Sequence, residues 1–144
     1  MQTDPATRAI VDQVWNSAAF ISDLGIRLHG LGKGWCESEL TLLPRHLQQN
    51  GFVHAGVQAT MADHTSGAAA STLAEPGQFV LTVEFKLSLL RAGKGEKLFC
   101  RADVLKPGRS VSFVEALLYA VTGEERTLIS KMTATMAVGG TSRA

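Results

Sequence analysis

Residues 46–70 read HLQQNGFVHAGVQATMADHTSGAAA, and this stretch decides the fold. A turn punctuated by glycine opens into a long helical run of small residues. Asp63 is the only carboxylate in the run and lies among alanine, glycine and methionine. Because burying an ionised carboxylate costs free energy, we expect a buried Asp63 to have a function. The alternative is a surface helix with Asp63 on its solvated face.

Two elements are predicted before this helix. Residues 1–18 are predicted to be an N-terminal helical segment, in which Asp4 followed by Pro5 is typical of a helix N-terminus. Residues 25–30 and 35–42 alternate apolar and polar side chains on either side of a turn, which predicts a β-hairpin.

Four strands are predicted after the helix. Residues 79–89 alternate strictly, which indicates a long half-buried strand with one apolar face. Strands over residues 98–106, 111–121 and 127–138 follow, and residues 139–144 are predicted to be a loose tail. Short turns between consecutive strands favour antiparallel pairing, so the second half is predicted to be a four-stranded meander.

The order of elements predicts a single α+β domain over residues 1–144. A chain of 144 residues can bury one core and is too short for a second. One long helix and one antiparallel sheet can bury each other only if the sheet curves around the helix. The small residues of the helix permit that close approach.

Composition limits the partners and the location. The formal net charge is +1 at pH 7, which argues against nucleic acid or an anionic membrane as a partner. No apolar run reaches the roughly 20 residues that a membrane span requires, and the N-terminal sequence lacks a signal-peptide pattern. Cys36 and Cys100 have no CxxC spacing, so we expect buried thiols in a reducing cytoplasm rather than a disulfide or a zinc pair.

A set of spaced residues carries a family resemblance. The set consists of Gln48, Gly51, His54, Gly56, Asp63 and Gly67, followed by Thr82-Val83-Glu84 and Lys106-Pro107-Gly108-Arg109. With this pattern, residues 20–138 resemble hotdog-fold acyl-CoA thioesterases of the phenylacetate-pathway (PaaI-like) and 4-hydroxybenzoyl-CoA thioesterase group. The resemblance implies a hotdog fold, a curved antiparallel sheet of about six strands wrapped around one long central helix, here with an extra N-terminal helix. It also implies a cytoplasmic hydrolase that acts on acyl-CoA without a cofactor.

Thioester hydrolysis requires a base or nucleophile and a hydrogen-bond donor for the developing oxyanion. Asp63 is the candidate catalytic carboxylate, and the sequence leaves open whether it attacks the carbonyl or activates water. The backbone N–H groups of Ala55 and Gly56 are the candidate oxyanion donors, because the first turn of a helix leaves its amides unpaired. Relatives commonly have glycine where Ala55 stands, and the added methyl would narrow the approach of a bulky acyl group.

Gln48 and His54 are further catalytic candidates beside this turn. Gln48 would direct its amide at the thioester carbonyl or hold the lytic water, and His54 would fix the turn or polarise the carbonyl. The alternatives are that Gln48 only caps the turn and that His54 is an ordinary hydrogen-bonded residue. Asn50, beside Gly51, serves the tight turn, with a minor role in substrate binding as the alternative.

Ser66, Gly67 and Thr82 are candidates for substrate binding near Asp63. Ser66 and Gly67 follow Asp63 by three and four residues, on the same helix face. Thr82 belongs to the motif that carries the resemblance. Some relatives have a hydroxyl at the position of Gly67 that assists the carboxylate, and Ser66 or Thr65 is only a weak substitute for it.

Arg91, Lys106 and Arg109 lie at predicted strand ends and turns, where they are candidates for binding the phosphates of CoA. The alternative is that all three are solvated surface cations. His64 beside Asp63 suggests a metal pair, but adjacent helix residues point about 100° apart. We therefore expect no metal site.

Spacing also predicts how the site is assembled. Asp63 lies nine residues after His54, which places it about half a turn out of phase and about 13 Å further along the helix axis. One chain therefore cannot bring both residues to one substrate. In a symmetric dimer with antiparallel central helices, Asp63 of one subunit faces the turn of the other. The resemblance implies the same composite sites and a homotetramer built from two dimers.

Two other classes of function compete with hydrolysis. A hotdog hydratase or dehydratase would carry a different motif, and neither HFPG nor D-x4-H occurs in the sequence. A non-catalytic acyl-CoA binder would keep the pocket without the chemistry, and the presence of Asp63 with Gln48 argues against it. The sequence leaves the acyl group open between aromatic and short or medium-chain types.

Overall fold

The computed structural model describes residues 3–140. Within them the elements are α1 (Pro5–Asn16), α2 (Ala19–Leu24), β1 (Arg27–Gly32), β2 (Trp35–Thr41), a 3₁₀ turn (Pro44–His46), α3 (Ala55–Ser71), β3 (Phe79–Leu89), β4 (Lys97–Lys106), β5 (Val111–Thr122) and β6 (Glu125–Gly139). In this part of the chain no helix is both long and apolar enough to cross a bilayer.

The N-terminal helix begins as predicted. The Asp4 side chain accepts the Thr7 N–H at 3.2 Å, and Pro5 occupies the first helical position. The helix ends at Asn16, before the predicted limit at residue 18, and the short helix α2 follows. The sequence did not predict α2 because six residues are too few to establish a helical period. Residues 1–2 of the predicted segment lie outside the described residues.

All six strands form one antiparallel sheet, in the order β1-β2-β4-β5-β6-β3. The pairing of β1 with β2 confirms the predicted hairpin. The predicted meander is wrong, because β3 pairs with β6 at the far edge and β4 lies between β2 and β5. The segment after β3 explains the difference. The amides of Leu90 and Arg91 both donate to Ile129 O, so the chain crosses the end of β6 instead of turning back alongside β3.

A β-bulge divides β3. The register with β6 shifts immediately after Thr82, so that Thr82 pairs with Met136 and Phe85 pairs with Ala134. Met136 and Ala134 are both core residues, and Thr82 and Phe85 therefore both point to the helix side of the sheet. The single apolar face predicted over residues 79–89 is wrong for this reason. The strand is also largely exposed rather than half-buried, because it is an edge strand.

The inner face of the sheet packs on α3. Three consecutive alanines of the helix, Ala68, Ala69 and Ala70, are buried in the core, as expected for close approach of helix and sheet. The core also contains large, fully buried side chains, among them Leu40, Met61, Leu98, Leu118, Ile129, Met132 and Met136. Each of these contributes about 1.5–3 kcal/mol through burial. The arrangement is the hotdog fold that the resemblance implies.

The C-terminal strand extends into the predicted tail. β6 ends at Gly139, which pairs with Phe79. Residues 141–144 lie outside the described residues.

Both cysteines are buried free thiols, as the sequence predicts. Burial raises the pKa of Cys36 and that of Cys100 to about 12. Both thiols are therefore protonated and unreactive at neutral pH.

Candidate active site

Gln48 holds the turn that precedes α3. Its backbone N–H donates to Phe52 O at 2.7 Å, and its side-chain Oε1 accepts the N–H groups of Asn50 and Phe52. Both side-chain bonds use the oxygen, and within residues 3–140 the NH2 group makes no hydrogen bond, so it remains available as a donor. The two alternative roles of Gln48 are therefore compatible. Asn50 contributes its backbone to the turn, and its side chain is exposed.

His46 fixes the start of this turn and was not singled out from the sequence. The buried ring accepts the Leu43 N–H at Nδ1, at 2.9 Å, and donates from Nε2 to Leu24 O at 2.7 Å. Its carbonyl oxygen accepts the His54 N–H at 2.9 Å. His46 therefore ties both ends of the turn to α2. A lone histidine in a sequence gives no signal of such a role.

His54 is the N-cap of α3, and its Nδ1 accepts the Gly56 N–H at 2.8 Å. A Cβ at Gly56 would lie 3.0 Å from this nitrogen, so glycine gives the ring room to cap the helix. The Gly56 amide is therefore already bonded to the His54 side chain in the folded chain. The Ala55 amide has no acceptor within the described residues and lies at the positive end of the helix dipole. Of the two predicted oxyanion donors, the Ala55 amide is the one without an acceptor in the described part of the chain.

A cavity of about 420 Å³ adjoins the start of α3, and we call it the helix-start cavity. Gln48, His54, Ala55 and Arg91 line it. Gln58 lines it too, with a side chain that is only 3% exposed and an Oε1 that has no partner in the described chain. The sequence analysis missed Gln58. The only sequence signal for Gln58 is its polar side chain at a position on the face of α3 that otherwise packs against the core.

Asp63 lies in the middle of α3 and is half-buried rather than buried. It lines a second cavity, of about 620 Å³, which we call the Asp63 cavity. Thr82 Oγ1 donates to Asp63 Oδ1 at 2.7 Å across this cavity's edge. The bond fixes the carboxylate and leaves Oδ2 without a hydrogen bond inside the described chain. Thr82, a candidate for substrate binding in the sequence, thus lies beside Asp63 and holds its carboxylate.

Gly67 lines the Asp63 cavity, whereas Ser66 and Thr65 do not. Thr65 is fully buried and bonds Ser38 at 2.7 Å. Ser66 is also fully buried, and its Oγ has no partner within residues 3–140. A separation of three residues turns Ser66 about 60° away from Asp63, which is enough to direct it into the core. The structure does not bring Ser66 to the site.

His64 packs edge-on against Trp15 of α1, with 4.6 Å between the ring centroids. Burial lowers the pKa of His64 below its ordinary value, and the neighbouring Asp63 charge offsets only part of this effect. The ring is therefore neutral at neutral pH.

Of the three predicted phosphate ligands, Arg91 lies apart from Lys106 and Arg109, which are both near the turn between β4 and β5. Arg91 lines the helix-start cavity and donates to Leu128 O at 2.8 Å. Arg109 lines a third cavity, of about 570 Å³, together with Glu75 just after α3. Lys106 is exposed at the end of β4. A single chain does not bring all three cations together.

Asp63 and the helix start also lie apart. Asp63 and Thr82 line one cavity, and Gln48, His54 and Ala55 line another. The Asp63 cavity contains none of the predicted oxyanion donors, and the helix-start cavity contains no carboxylate among the described residues.

Comparisons with known proteins converge on one family. The sequence model of the thioesterase superfamily matches residues 50–127. A crystallised thioesterase family protein from Silicibacter pomeroyi is 35% identical, with a TM-score of 0.91 over 93% of this chain and 98% of that one. A crystallised thioesterase from Haemophilus influenzae is 25% identical, with a TM-score of 0.82 over 92% of this chain and 90% of that one. The 1,4-dihydroxy-2-naphthoyl-CoA hydrolase of Listeria monocytogenes is 24% identical over 115 residues, which are 80% of this chain and 91% of that protein.

Proposed function

This chain belongs to the thioesterase superfamily and is a thioester hydrolase, and on that premise we propose that it cleaves acyl-CoA to a free acid and CoA. The observation that carries the proposal is a carboxylate on the central helix, Asp63, held by Thr82 at the edge of a cavity. A fixed carboxylate with one oxygen available suits either a general base or a nucleophile.

Asp63 supplies the reactive carboxylate in both routes. As a base, it takes a proton from water while the water oxygen bonds to the thioester carbon, and the C–S bond then breaks with transfer of the proton to the CoA thiolate. As a nucleophile, it displaces the thiolate itself, and water then hydrolyses the resulting anhydride. In both routes the hydrogen bond from Thr82 fixes Oδ1, and Oδ2 is the oxygen that takes the proton or attacks the thioester carbon.

The helix start stabilises the oxyanion. The Ala55 N–H donates along the helix dipole, and the NH2 group of Gln48 donates from the side. Because Nδ1 of His54 accepts from Gly56, the ring proton is on Nε2, which is a third donor.

The complete site lies between two copies of the chain. β3 is an edge strand, on which Phe79, Leu81 and Val83 are exposed at 55%, 60% and 62%. An exposed apolar edge of this kind is a template for pairing with another strand, and a second copy would cover it. A two-fold axis along this edge places Asp63 of one subunit opposite the helix-start cavity of the other.

A homotetramer is the next level of the proposed assembly. Leu105 of β4 and Val111 and Phe113 of β5 are exposed at 60%, 39% and 45% on inner strands of the sheet. A second dimer that packs on these side chains would remove an apolar patch from water. We place the enzyme in the cytoplasm, where the free thiols Cys36 and Cys100 remain reduced.

The CoA moiety binds across the same interface. Arg91 reaches it from the helix-start cavity, and Lys106 and Arg109 are offered from the turn between β4 and β5. Their separation in the single chain suits a long ligand with phosphates some distance from the thioester. The acyl group is aromatic or of short to medium length, and the hydrolase from Listeria monocytogenes is named for an aromatic substrate.

The test is turnover of a panel of acyl-CoAs, followed by the reaction of released CoA with a thiol-reactive dye. The protein itself adds little background, because Cys36 and Cys100 are buried with raised pKa values of about 12. Thiol release with kcat/KM above about 10⁴ M⁻¹s⁻¹ for one of the acyl-CoAs supports the proposal. Binding without thiol release would identify an acyl-CoA binder, and loss of enoyl absorbance without thiol release would identify a hydratase.

A further inference from the structure

Gly67 is a glycine in the interior of α3, where alanine would give a more stable helix. Glycine is usually required at such a position by a positive φ or by an atom too close for a Cβ. Gly67 has no positive φ. A Cβ built on it would meet no heavy atom of the surrounding described chain within 4 Å. The folded chain by itself therefore gives no reason for glycine here.

The open space above Gly67 belongs to the Asp63 cavity. Gly67 lies four residues after Asp63, which is about one turn or 5.4 Å along the axis on the same helix face. A substrate whose carbonyl carbon reacts at Asp63 would therefore carry the next few atoms of its acyl group over Gly67.

Two walls of this cavity are apolar. Ile10 and Val14, four residues apart on α1, form one wall, and Val80 of β3, which lies on the same face of the strand as Thr82, contributes to another. His64 also lines the cavity, with a ring that is neutral because burial lowers its pKa.

We propose that the Asp63 cavity receives the acyl group, and that Gly67 is a specificity-determining residue that keeps room for it next to the thioester. This inference rests on the proposed acyl-CoA hydrolysis. The occupant is an apolar acyl group of more than a few carbon atoms, because a smaller group would leave the walls formed by Ile10, Val14 and Val80 uncovered. The α1 wall limits how large that group can be.

The experiment compares Gly67→Ala and Gly67→Leu with the wild type on straight-chain acyl-CoAs from two to twelve carbon atoms. Gly67→Ala should raise Tm by about 3 °C, because alanine favours the helix. It should also lower kcat/KM for the preferred acyl group by about ten-fold, since one methyl in a filled pocket has an effect of that size. Gly67→Leu should lower it further and shift the preference to shorter acyl groups. Ile10→Ala should shift the preference to longer ones.

Ala9→Leu is the control, because it introduces the same leucine side chain at an exposed position of α1. It should leave the chain-length profile unchanged. A stabilised Gly67→Ala with reduced activity cannot be explained by damage to the fold.

Affinity for non-hydrolysable acyl-CoA thioethers and the oligomeric state of each variant complete the experiment. If the wild type turns over acyl-CoA but Gly67→Leu keeps the same profile and affinity, the inference is overturned and the proposed function stands. If the wild type binds the thioethers without turnover, the proposed hydrolysis fails, and loss of affinity in Gly67→Leu still supports the cavity. If the wild type neither binds nor hydrolyses, both are overturned. If Gly67→Ala dissociates the dimer, the partner chain fills the space and the inference is overturned.

Discussion

Thr82 donates a 2.7 Å hydrogen bond to Asp63, which joins the edge strand β3 to the middle of the central helix. The bond depends on the bulge that follows Thr82, because the bulge lets Thr82 and Phe85 point to the same side of the sheet. An irregularity of one residue in a strand therefore sets the orientation of the candidate catalytic carboxylate.

Asp63→Asn should lower kcat by at least about 10²-fold, because the amide keeps the shape of the carboxylate but is neither a base nor a nucleophile. KM and Tm should stay close to those of the wild type. Steady-state kinetics with thermal denaturation measures all three. Asp23→Asn, at an exposed position of α2, is the control and should be fully active. Wild-type turnover in a folded Asp63→Asn protein would remove Asp63 from the mechanism.

Thr82→Val should lower kcat by about ten-fold, the effect of losing one hydrogen bond to a charged group. KM should change little, because the bond orients Asp63 and does not bind substrate in this mechanism. Thr82→Ser restores the hydroxyl and should recover most of the activity. Equal activities of the valine and serine variants would show that the hydroxyl is not needed.

Gln48→Glu separates the two roles of Gln48. The carboxylate still accepts the backbone N–H groups of Asn50 and Phe52, so Tm should be nearly unchanged. It replaces the donor with an acceptor, so kcat should fall by about 10²-fold. Gln49→Glu, in the same cavity, is the control for added charge. A fully active Gln48→Glu enzyme would show that Gln48 only stabilises the turn and is not an oxyanion donor.

Ala55→Pro removes the proposed oxyanion donor with little cost to the fold. Proline is favoured at the first position of a helix, which Ala55 occupies, and His54 has a ψ of 137°, as the residue before proline prefers. We expect retained Tm with kcat lowered by about 10²-fold.

Mixing Ala55→Pro with Asp63→Asn tests whether the site is shared between subunits. In a heterodimer with composite sites, one of the two sites has both an intact Asp63 and an intact Ala55 amide. Complete random exchange should therefore restore about a quarter of the wild-type activity. Exchange is verified by native mass spectrometry of differently tagged chains. Fully exchanged heterodimers without activity would place carboxylate and donor in the same chain.

The sequence was sufficient for most elements because the apolar period changes clearly from helix to strand. For β3, the alternation over residues 79–89 predicted the bounds correctly. It did not predict the partner strand or the exposure of β3. Alternation does not identify a partner strand, and it contains no signal for a bulge. The hydrogen bonds of Leu90 and Arg91 to Ile129 O, which decide the topology, come from backbone groups that every residue has.

The candidate site could be predicted only in part, because a local sequence pattern shows residue types and spacing but not tertiary contacts. Residue type and spacing, together with the family resemblance, singled out Asp63, Gln48 and His54, whose catalytic roles stay predictions. That the Gly56 amide is already bonded to His54 Nδ1 depends on a rotamer, and the role of α1 as a cavity wall depends on tertiary packing. Neither is encoded in a local pattern.

The position of β3 at the far edge of the sheet also fixes when the site can form during synthesis. β3 joins the sheet only through β6, which is the last strand to be synthesised. Thr82 can pair with Met136 only after a further 54 residues have been translated. Until then an apolar strand has both edges unpaired, which exposes the nascent chain to aggregation. Asp63 on the central helix is therefore translated early, but Thr82 can orient its carboxylate only when synthesis of the domain is almost complete. The candidate catalytic carboxylate is thus fixed after most of the core residues have been synthesised.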